Sequence, residues 1–170
     1  MQKTILVTGG AGYIGSHTTL SLLQEGFQVV ALDNLCNASA ESLRRVARLA
    51  GREPVFVEGD IRDRALLDKL LVQHSVQAVL HFAGLKAVGE SVSQPLRYYD
   101  NNVGGTVTLC QAKPSQAKPS QAKPSQAKPS QAMAMAGVFT LVFSSSATVY
   151  GDPATIPITE DQPAGHTINP

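Results

Sequence analysis

A cluster of glycines near the amino terminus is the part of the sequence whose spacing points most directly to chemistry. Gly10-Ala11-Gly12-Tyr13-Ile14-Gly15 fits the pattern G-x-G-x-x-G, and Gly9 adds a glycine immediately before it. The cluster follows a short apolar run and opens a helix-like segment, which is the context found in dinucleotide-binding folds. Glycines there permit a tight turn and let backbone N–H groups approach a pyrophosphate. The alternative is a glycine-rich turn without a ligand.

A carboxylate stands where the second strand of such a fold would end. Asp33 follows the apolar run Gln28–Leu32 and lies 18 residues after Gly15. An acidic residue at that place accepts hydrogen bonds from the adenosine ribose hydroxyls. Its charge would repel a 2′-phosphate, and Asn34 and Leu35 provide no arginine to offset the repulsion. The position therefore favours NAD over NADP. The alternative interpretation is that Asp33 is a solvated loop residue that binds no cofactor.

Two further groups fall at the predicted carboxyl ends of strands, the edge that binds ligands in open α/β sheets. Asp60-Ile61 follows the third strand, and Phe82-Ala83-Gly84 follows the fourth. His81 lies within an apolar strand, so we interpret it as a core histidine rather than a catalytic one. The other histidines show no ligand spacing, and we predict no metal site.

These residues depend for their placement on alternating strands and helices. Apolar strands separated by amphipathic helices are typical of a parallel sheet covered on both faces. Right-handed crossovers then predict a doubly wound, Rossmann-type α/β domain that ends after a fifth strand. The predicted strands are Ile5–Thr8, Gln28–Leu32, Val55–Val57, Ala78–Phe82 and Val138–Phe143. The predicted helices run from the glycine cluster to Glu25, over Ser39–Ala50, from Asp63, and from about Pro95.

Composition and charge exclude several classes of protein. The 170 residues contain 14 Lys and Arg against 13 Asp and Glu, with two cysteines and no tryptophan. The length suits one domain, and the near-neutral charge gives no basis for binding nucleic acid or an anionic membrane. Two cysteines cannot build a disulfide framework, and no apolar run approaches the roughly 18 residues of a membrane span. We therefore expect a cytoplasmic protein without nucleic-acid or membrane partners.

One low-complexity segment interrupts this pattern. Residues 113–132 are four identical copies of Lys-Pro-Ser-Gln-Ala. A proline every five residues excludes a helix interior or a central strand, so we predict an extended, solvated loop. Joining Ala112 to Met133 restores a helix that ends at Gly137, which indicates an insertion near the end of a helix. The repeat is interpreted as a recent tandem duplication, the alternative being a polyproline II ligand or a basic tether.

Several blocks of the sequence resemble the UDP-glucose 4-epimerase family of the extended short-chain dehydrogenase/reductases. The blocks are Thr8–His17, Asp33–Asn37, Gly59–Ile61, His81–Ser91 and Ser144–Gly151. The resemblance covers the chain except the repeat, and the spacing between blocks agrees once the repeat is removed. It implies a domain that binds NAD and interconverts UDP-glucose and UDP-galactose by transient oxidation at C4 of the sugar. It also implies a homodimer that uses the interrupted helix.

The resemblance assigns roles to individual residues by matching motif. Those expected around the pyrophosphate are Gly9, Gly12, Tyr13, Ile14 and Gly15. Those expected on the adenosine side are Asp33, Asn34, Leu35, Cys36, Asn37 and Ala38, with Asp60 and Ile61 against adenine. Those expected along the nicotinamide half are Phe82, Ala83, Gly84, Leu85, Lys86 and Asn101. Ser146 would hydrogen-bond the sugar hydroxyl and help to relay its proton, the alternative being a strand-end serine that caps its own backbone.

The catalytic base that the family implies is not found among the 170 residues. It is a tyrosine in a Tyr-x-x-x-Lys motif directly after an Asn-Pro pair. The sequence ends at such a pair, Asn169-Pro170, and contains no Tyr-x-x-x-Lys. We therefore expect an incomplete domain, without the C-terminal substrate domain, that is inactive by itself and doubtful as a dimer. An inactive NAD-binding fragment and a nucleotide-sugar 4,6-dehydratase stay open, although dehydratases carry an acidic pair where this sequence has Ser146-Ala147-Thr148.

Overall fold

The computed structural model of the protein describes residues 2–112, 140–151, 156–159 and 161–164. The repeat and the predicted continuation of its helix to Gly137 lie outside the described residues. The strands are β1 (Thr4–Thr8), β2 (Gln28–Asp33), β3 (Val55–Glu58), β4 (Val76–His81) and β5 (Thr140–Phe143). The α-helices are α1 (Tyr13–Gln24), α2 (Glu41–Ala50), α3 (Arg64–Gln73), α4 (Val88–Ser93), α5 (Pro95–Tyr98) and α6 (Gly105–Gln111).

The strands form one parallel sheet in the order β3-β2-β1-β4-β5. The central strand β1 is buried along its whole length, and its Ile5 pairs with Val29 of β2 and with Ala78 of β4. The chain moves outward from β1 to β2 and β3, then returns to place β4 on the other side of β1. This confirms the predicted doubly wound α/β fold. The reversal of strand order marks the crevice where such sheets bind ligands.

Alternate residues of β1 contribute to the core on the two faces of the sheet. Ile5 belongs to a cluster with Leu23 of α1 and Val46 of α2. Leu6 belongs to the cluster on the other face, which includes Leu67 of α3. Burying each of these aliphatic side chains contributes about 1.5–3 kcal/mol to stability. The two clusters fix the helices against the sheet and so hold the strand ends in register.

Local capping explains where two of the helices begin and end. Asp63 accepts a hydrogen bond from the backbone N–H of Leu66 at 3.0 Å, so α3 begins where the sequence predicts. Gly51 ends α2 in the left-handed conformation, with φ at 65°. The start of α2 differs from the prediction, because Ser39 Oγ accepts from the Glu41 N–H at 3.3 Å and stays outside the helix.

The fourth strand and the helix after it also differ from their predicted bounds. The strand β4 begins at Val76 and ends at His81, so Phe82 belongs to the following loop rather than to the strand. The helix predicted from Pro95 is divided by a π-helical turn over Tyr99–Gly104, between α5 and α6. Turns of this kind occur frequently at functional sites. This one carries Asn101, which is buried beside the carboxyl edge of the sheet.

Candidate functional site

A cavity of about 410 Å³ opens at the carboxyl edge of the sheet and is lined by residues that follow all five strands. The predicted site residues that line it are Gly9, Gly12, Tyr13, Ile14, Gly15, Asp33, Asn34, Cys36, Asn37, Ile61, Phe82, Ala83, Gly84, Leu85, Lys86, Asn101 and Ser146. Four lining residues that the sequence analysis missed are Leu32, Gly59, Ser144 and Ser145. Each of them lies within two residues of a predicted site residue, at or just after the carboxyl end of a strand. That position at a strand end is the feature of the sequence from which they could have been predicted.

Three predicted cofactor-binding residues do not belong to the described cavity lining. Leu35 and Ala38 pack instead against the small apolar cluster that contains Ala11 and Leu43. Asp60 is held by polar neighbours beside the cavity. The loop after β2 therefore contributes to the cavity through its other residues, and a cofactor contact by these three stays a prediction.

Two glycines of the loop after β1 are required by close backbone approach. A Cβ on Gly15 would lie 2.1 Å from the carbonyl oxygen of Gly9, so α1 could not pack against the loop. Gly9 has φ at 68°, and a Cβ there would lie 2.6 Å from the backbone nitrogen of Ala83. A Cβ on Gly12 would meet the Gly9 oxygen alone, at 3.3 Å. Gly12 also begins α1 without a side-chain cap, so the loop presents bare backbone to the cavity.

Asp33 is a nearly buried carboxylate at the edge of the cavity. Its side chain accepts hydrogen bonds from the backbone N–H of Ala11 at 3.0 Å and of Leu35 at 2.9 Å. The first bond ties the glycine loop to the end of β2. A carboxylate has about four acceptor sites, so two remain for a ligand. Asp33 can therefore position the loop and bind hydroxyl groups at the same time.

Asp60 is held in an ion-pair network beside the cavity. Arg62 donates to its two oxygens at 2.9 and 2.8 Å, and Asn34 donates to it at 3.0 Å. The bonds from Arg62 come first among the causes that hold the pKa of the Asp60 carboxyl well below its usual range. Arg62 also pairs with Asp100 of the π-helical turn. Asp60 thereby orients Asn34, which does line the cavity.

His81 is a core histidine, as the sequence analysis predicted. Its side chain is buried, and its two ring nitrogens face the hydroxyls of Thr8 at 2.6 Å and Thr106 at 2.9 Å. Burial, followed by the charge of Lys86, lowers the pKa of His81 to about 4. The ring is therefore neutral at physiological pH.

Ser146 caps the backbone that follows it and also lines the cavity, while the sugar contact that the resemblance implies stays a prediction. It precedes the short 3₁₀-helix Ala147–Tyr150 and accepts from the backbone N–H of Thr148 at 3.4 Å, which makes it a cap. Its Oγ also accepts from the Thr148 hydroxyl at 2.9 Å, and it lines the cavity. Both bonds use lone pairs of the oxygen, so the hydroxyl proton of Ser146 is available to donate to a ligand.

The described part of the chain contains neither a metal-binding cluster nor a membrane-spanning helix. Among those residues, no three His, Cys, Asp or Glu side chains come together in a group that could hold a metal ion. None of the described helices is long and apolar enough to cross a membrane.

Comparison with known proteins identifies the family. The sequence model of the NAD dependent epimerase/dehydratase family matches residues 5–170. The chain belongs to this family. It is 52% identical over 169 residues to the UDP-glucose 4-epimerase of Neisseria meningitidis, covering 99% of this chain and 44% of that protein. It is 55% identical over 166 residues to the UDP-glucose 4-epimerase of Haemophilus influenzae, covering 98% of this chain and 43% of that protein.

Solved structures of relatives match the fold over the same extent. The UDP-glucose 4-epimerase of Bifidobacterium longum, in complex with NAD+ and UDP, is 42% identical with a TM-score of 0.83, covering 99% of this chain and 44% of that one. The enzyme from Stenotrophomonas maltophila, with bound NAD and formylated UDP-arabinopyranose, is 44% identical with a TM-score of 0.79, covering 96% and 43%. The comparisons confirm the Rossmann-type fold and the resemblance, and the chain spans less than half the length of these relatives.

Proposed function

We propose that this chain forms the NAD-binding part of an enzyme that interconverts UDP-glucose and UDP-galactose. One observation carries the proposal: the glycine loop, the buried carboxylate of Asp33 and the hydroxyl of Ser146 line a single cavity. Similarity to proteins named UDP-glucose 4-epimerase supports the choice of reaction. The Tyr-x-x-x-Lys base implied by the family is not among these residues, so no residue of this chain is assigned that role.

The residues around the cavity fit NAD. Gly12 lines the cavity at the start of α1, which has no side-chain cap, so backbone N–H groups there can receive a pyrophosphate. Asp33 keeps acceptor sites for ribose hydroxyls, and its charge disfavours the 2′-phosphate of NADP. Lys86 and Asn101 line the same cavity and are assigned to the nicotinamide half. When bound there, NAD would supply the capacity to take a hydride from C4 of the sugar and return it.

Ser146 would act on the oxygen at C4 of the sugar. Because its Oγ accepts two bonds from Thr148, the hydroxyl is oriented with its own proton free. It can donate a hydrogen bond to the substrate oxygen and so stabilise the negative charge that develops there as the hydroxyl proton leaves. Passing on that proton, the role that the resemblance implies, would require one of the two bonds from Thr148 to be released. The 3₁₀-helix that Ser146 caps fixes the position of the hydroxyl at the end of β5.

Calorimetric titration tests the cofactor assignment. We expect Asp33→Asn to weaken NAD+ binding by about 10- to 100-fold, the effect of losing a charged hydrogen bond. The variant should also reduce the preference for NAD+ over NADP+. Asp63→Asn is the matched control, because asparagine also caps helices and Asp63 lies outside the described cavity lining. Unchanged NAD+ affinity in Asp33→Asn, or a wild type that prefers NADP+, would overturn the assignment.

A chimera tests the reaction separately from cofactor binding. Residues 1–170 joined to the remaining part of the Haemophilus influenzae relative should convert UDP-galactose to UDP-glucose. Ser146→Ala in this chimera should lower kcat by about 10²- to 10⁴-fold, the usual range for a lost proton-transfer group. Ser93→Ala is the control, because its hydroxyl bonds to the Glu90 carbonyl of its own helix. A folded chimera that binds NAD+ without turnover would contradict the proposed reaction.

A further inference from the structure

Two sets of hydrogen bonds that meet at Asn102, one on its backbone carbonyl and one on its side chain, join the end of β1 to the loop after β4. Thr8 Oγ1 lies 2.6 Å from His81 Nδ1, and His81 Nε2 lies 2.9 Å from Thr106 Oγ1. Thr106 Oγ1 donates to the carbonyl oxygen of Asn102 at 2.5 Å. The Asn102 side chain then accepts from the N–H of Leu85 at 2.8 Å and donates to its carbonyl oxygen at 3.0 Å. We call Thr8, His81, Thr106 and Asn102 the His81 relay.

Both ends of the His81 relay bind the segment Phe82–Lys86, which lines the cavity. Thr8 Oγ1 accepts from the backbone N–H of Ala83 at 3.4 Å, while Asn102 holds both polar backbone groups of Leu85. The segment belongs to neither a strand nor a helix. Its place along the cavity therefore depends on these bonds rather than on regular secondary structure.

The geometry determines which atom carries the proton in each group of the relay. The Thr106 hydroxyl donates a hydrogen bond to the Asn102 carbonyl oxygen. The Thr106 oxygen therefore accepts from His81, whose Nε2 carries the ring proton. The neutral ring then has a lone pair on Nδ1, which accepts from the Thr8 hydroxyl. The Thr8 oxygen is left to accept from Ala83. A protonated ring would make Nδ1 a donor, and the Thr8 proton would lose its acceptor.

We propose that His81 is a positioning residue: as the neutral Nε2–H tautomer it aligns the relay and thereby sets the cavity wall Phe82–Lys86 for the nicotinamide half of the cofactor. This rests on the proposed NAD site. Burial and the charge of Lys86 keep the ring neutral, because both lower the pKa of His81. The Phe143 ring of β5 packs against it at a centroid distance of 5.5 Å. His81 acts through its neighbours and does not line the cavity described above.

A pair of threonine variants tests the relay. Thr106→Val removes the middle hydroxyl and leaves the cavity lining unchanged. Thr108→Val is the matched control, because both hydroxyls belong to α6 and donate to the carbonyl four residues earlier, and Thr108 bonds to Gly104 outside the relay. The ligands are NAD+ and ADP-ribose, which lacks the nicotinamide. We expect Thr106→Val to weaken NAD+ binding by about tenfold and ADP-ribose binding by less than about threefold. Equal losses for the two ligands, or equal losses in the two variants, would overturn the proposal.

Nuclear magnetic resonance tests the relay without a cofactor. In the protein labelled with ¹⁵N-histidine, His81 should show a protonated Nε2 and an unprotonated Nδ1 down to about pH 5, with assignment by His81→Gln. Amide hydrogen exchange at Ala83 and Leu85 should be faster in Thr106→Val than in Thr108→Val. A protonated Nδ1, a titration near pH 6.5, or equal exchange would refute the relay. A wild type that binds neither ligand would refute the proposed function, and these two measurements would still decide the relay.

Discussion

Asp33 and Asp60 both follow strands at the carboxyl edge of the sheet, yet their surroundings give them different roles. Asp33 accepts from two backbone N–H groups and lines the cavity. Asp60 has both oxygens engaged by Arg62 and one also by Asn34. A side chain already paired in this way supports its neighbours, whereas one with free acceptor sites can bind a ligand. At the scale of single residues, function depends on which lone pairs the fold has left free.

The burial of His81 predicts how stability depends on pH. The folded pKa of about 4 lies below the ordinary value, so the unfolded chain binds a proton between about pH 6.5 and 4 that the folded chain does not. The stabilisation that comes from the lowered pKa of His81 is therefore fully present above pH 6.5. It is lost as the pH falls towards 4, which lowers the free energy of unfolding by about 3 kcal/mol in total. Urea denaturation at a series of pH values measures it.

The same titration in two variants isolates His81 from the carboxylates. His81→Gln should remove the dependence between pH 6.5 and 4, although the variant is less stable at every pH. His74→Gln is the control, because His74 follows α3 and lies outside the relay. A His81→Gln variant that keeps the full pH dependence of the wild type would contradict this prediction.

At the scale of secondary structure, the connection between β1 and α1 requires a glycine at position 15, where there is no room for a methyl group. Gly15→Ala would place a Cβ 2.1 Å from the Gly9 carbonyl oxygen, a backbone atom that cannot move aside cheaply. We expect a loss of at least about 1–3 kcal/mol in unfolding free energy, together with loss of NAD+ binding. Urea denaturation and NAD+ titration measure the two effects.

Gly89→Ala provides the matched control for this prediction. Gly89 lies in α4, and a Cβ there would meet no atom within 4 Å. Alanine favours the helix more than glycine does, so the control should be neutral or more stable by up to about 1 kcal/mol. Similar losses in the two variants would show that the Gly9–Gly15 contact does not constrain the loop.

The elements themselves were largely predictable because their signals are local. Apolar runs located all five strands, Asp63 marked the start of α3, and Gly51 marked the end of α2. The glycine spacing and the strand ends located the glycine loop, Asp33, Ile61 and Phe82–Gly84, whereas the family resemblance supplied the other predicted residues of the cavity lining. These signals act within a few residues along the chain, so the sequence alone carries them.

Other features were not predictable because they arise from contacts between distant segments. The bond between His81 and Thr106 spans 25 residues, and that between Thr8 and His81 spans 73. No local pattern marks Asn102 as the group that holds Leu85, and none marks the π-helical turn after Pro95. The early start of β4 likewise depends on pairing with β1, whose Thr4 lies opposite Val76.

At the scale of the whole molecule, the length of the repeat predicts a measurable loss of stability. Ala112 is buried at the end of α6, and 27 residues (113–139) separate it from β5. Deleting residues 113–132 shortens this connection about fourfold, and the entropy cost of joining Ala112 to β5 should fall by about 1 kcal/mol. We expect Tm to rise by about 2–4 °C in calorimetry.

A length-matched variant separates loop length from loop composition. Replacing residues 113–132 with glycine and serine over the same length should leave Tm close to that of the wild type. An unchanged or lower Tm in the deletion variant would show instead that the repeat is tolerated as an independent loop.

The exposed apolar surface bears on assembly. Leu96 of α5 is 82% exposed, and Tyr99 and Val103 of the following turn are more than half exposed. This surface lies on the segment that the family resemblance assigns to a dimer interface. Homodimer formation stays a prediction.

Mapping NAD+ binding by amide chemical shifts on the ¹⁵N-labelled protein tests the central claim most directly. We expect saturable changes concentrated at Gly12–Gly15, Asn34 and Lys86, with weaker changes for NADP+. A second, solvent-exposed cavity is lined by Arg44, Arg48 and Arg52 together with Glu41 and Glu53, and its arginines are the electrostatic alternative for a phosphate-bearing ligand. No saturable change, or changes confined to those arginines, would contradict the assignment of the sheet-edge cavity as a dinucleotide site.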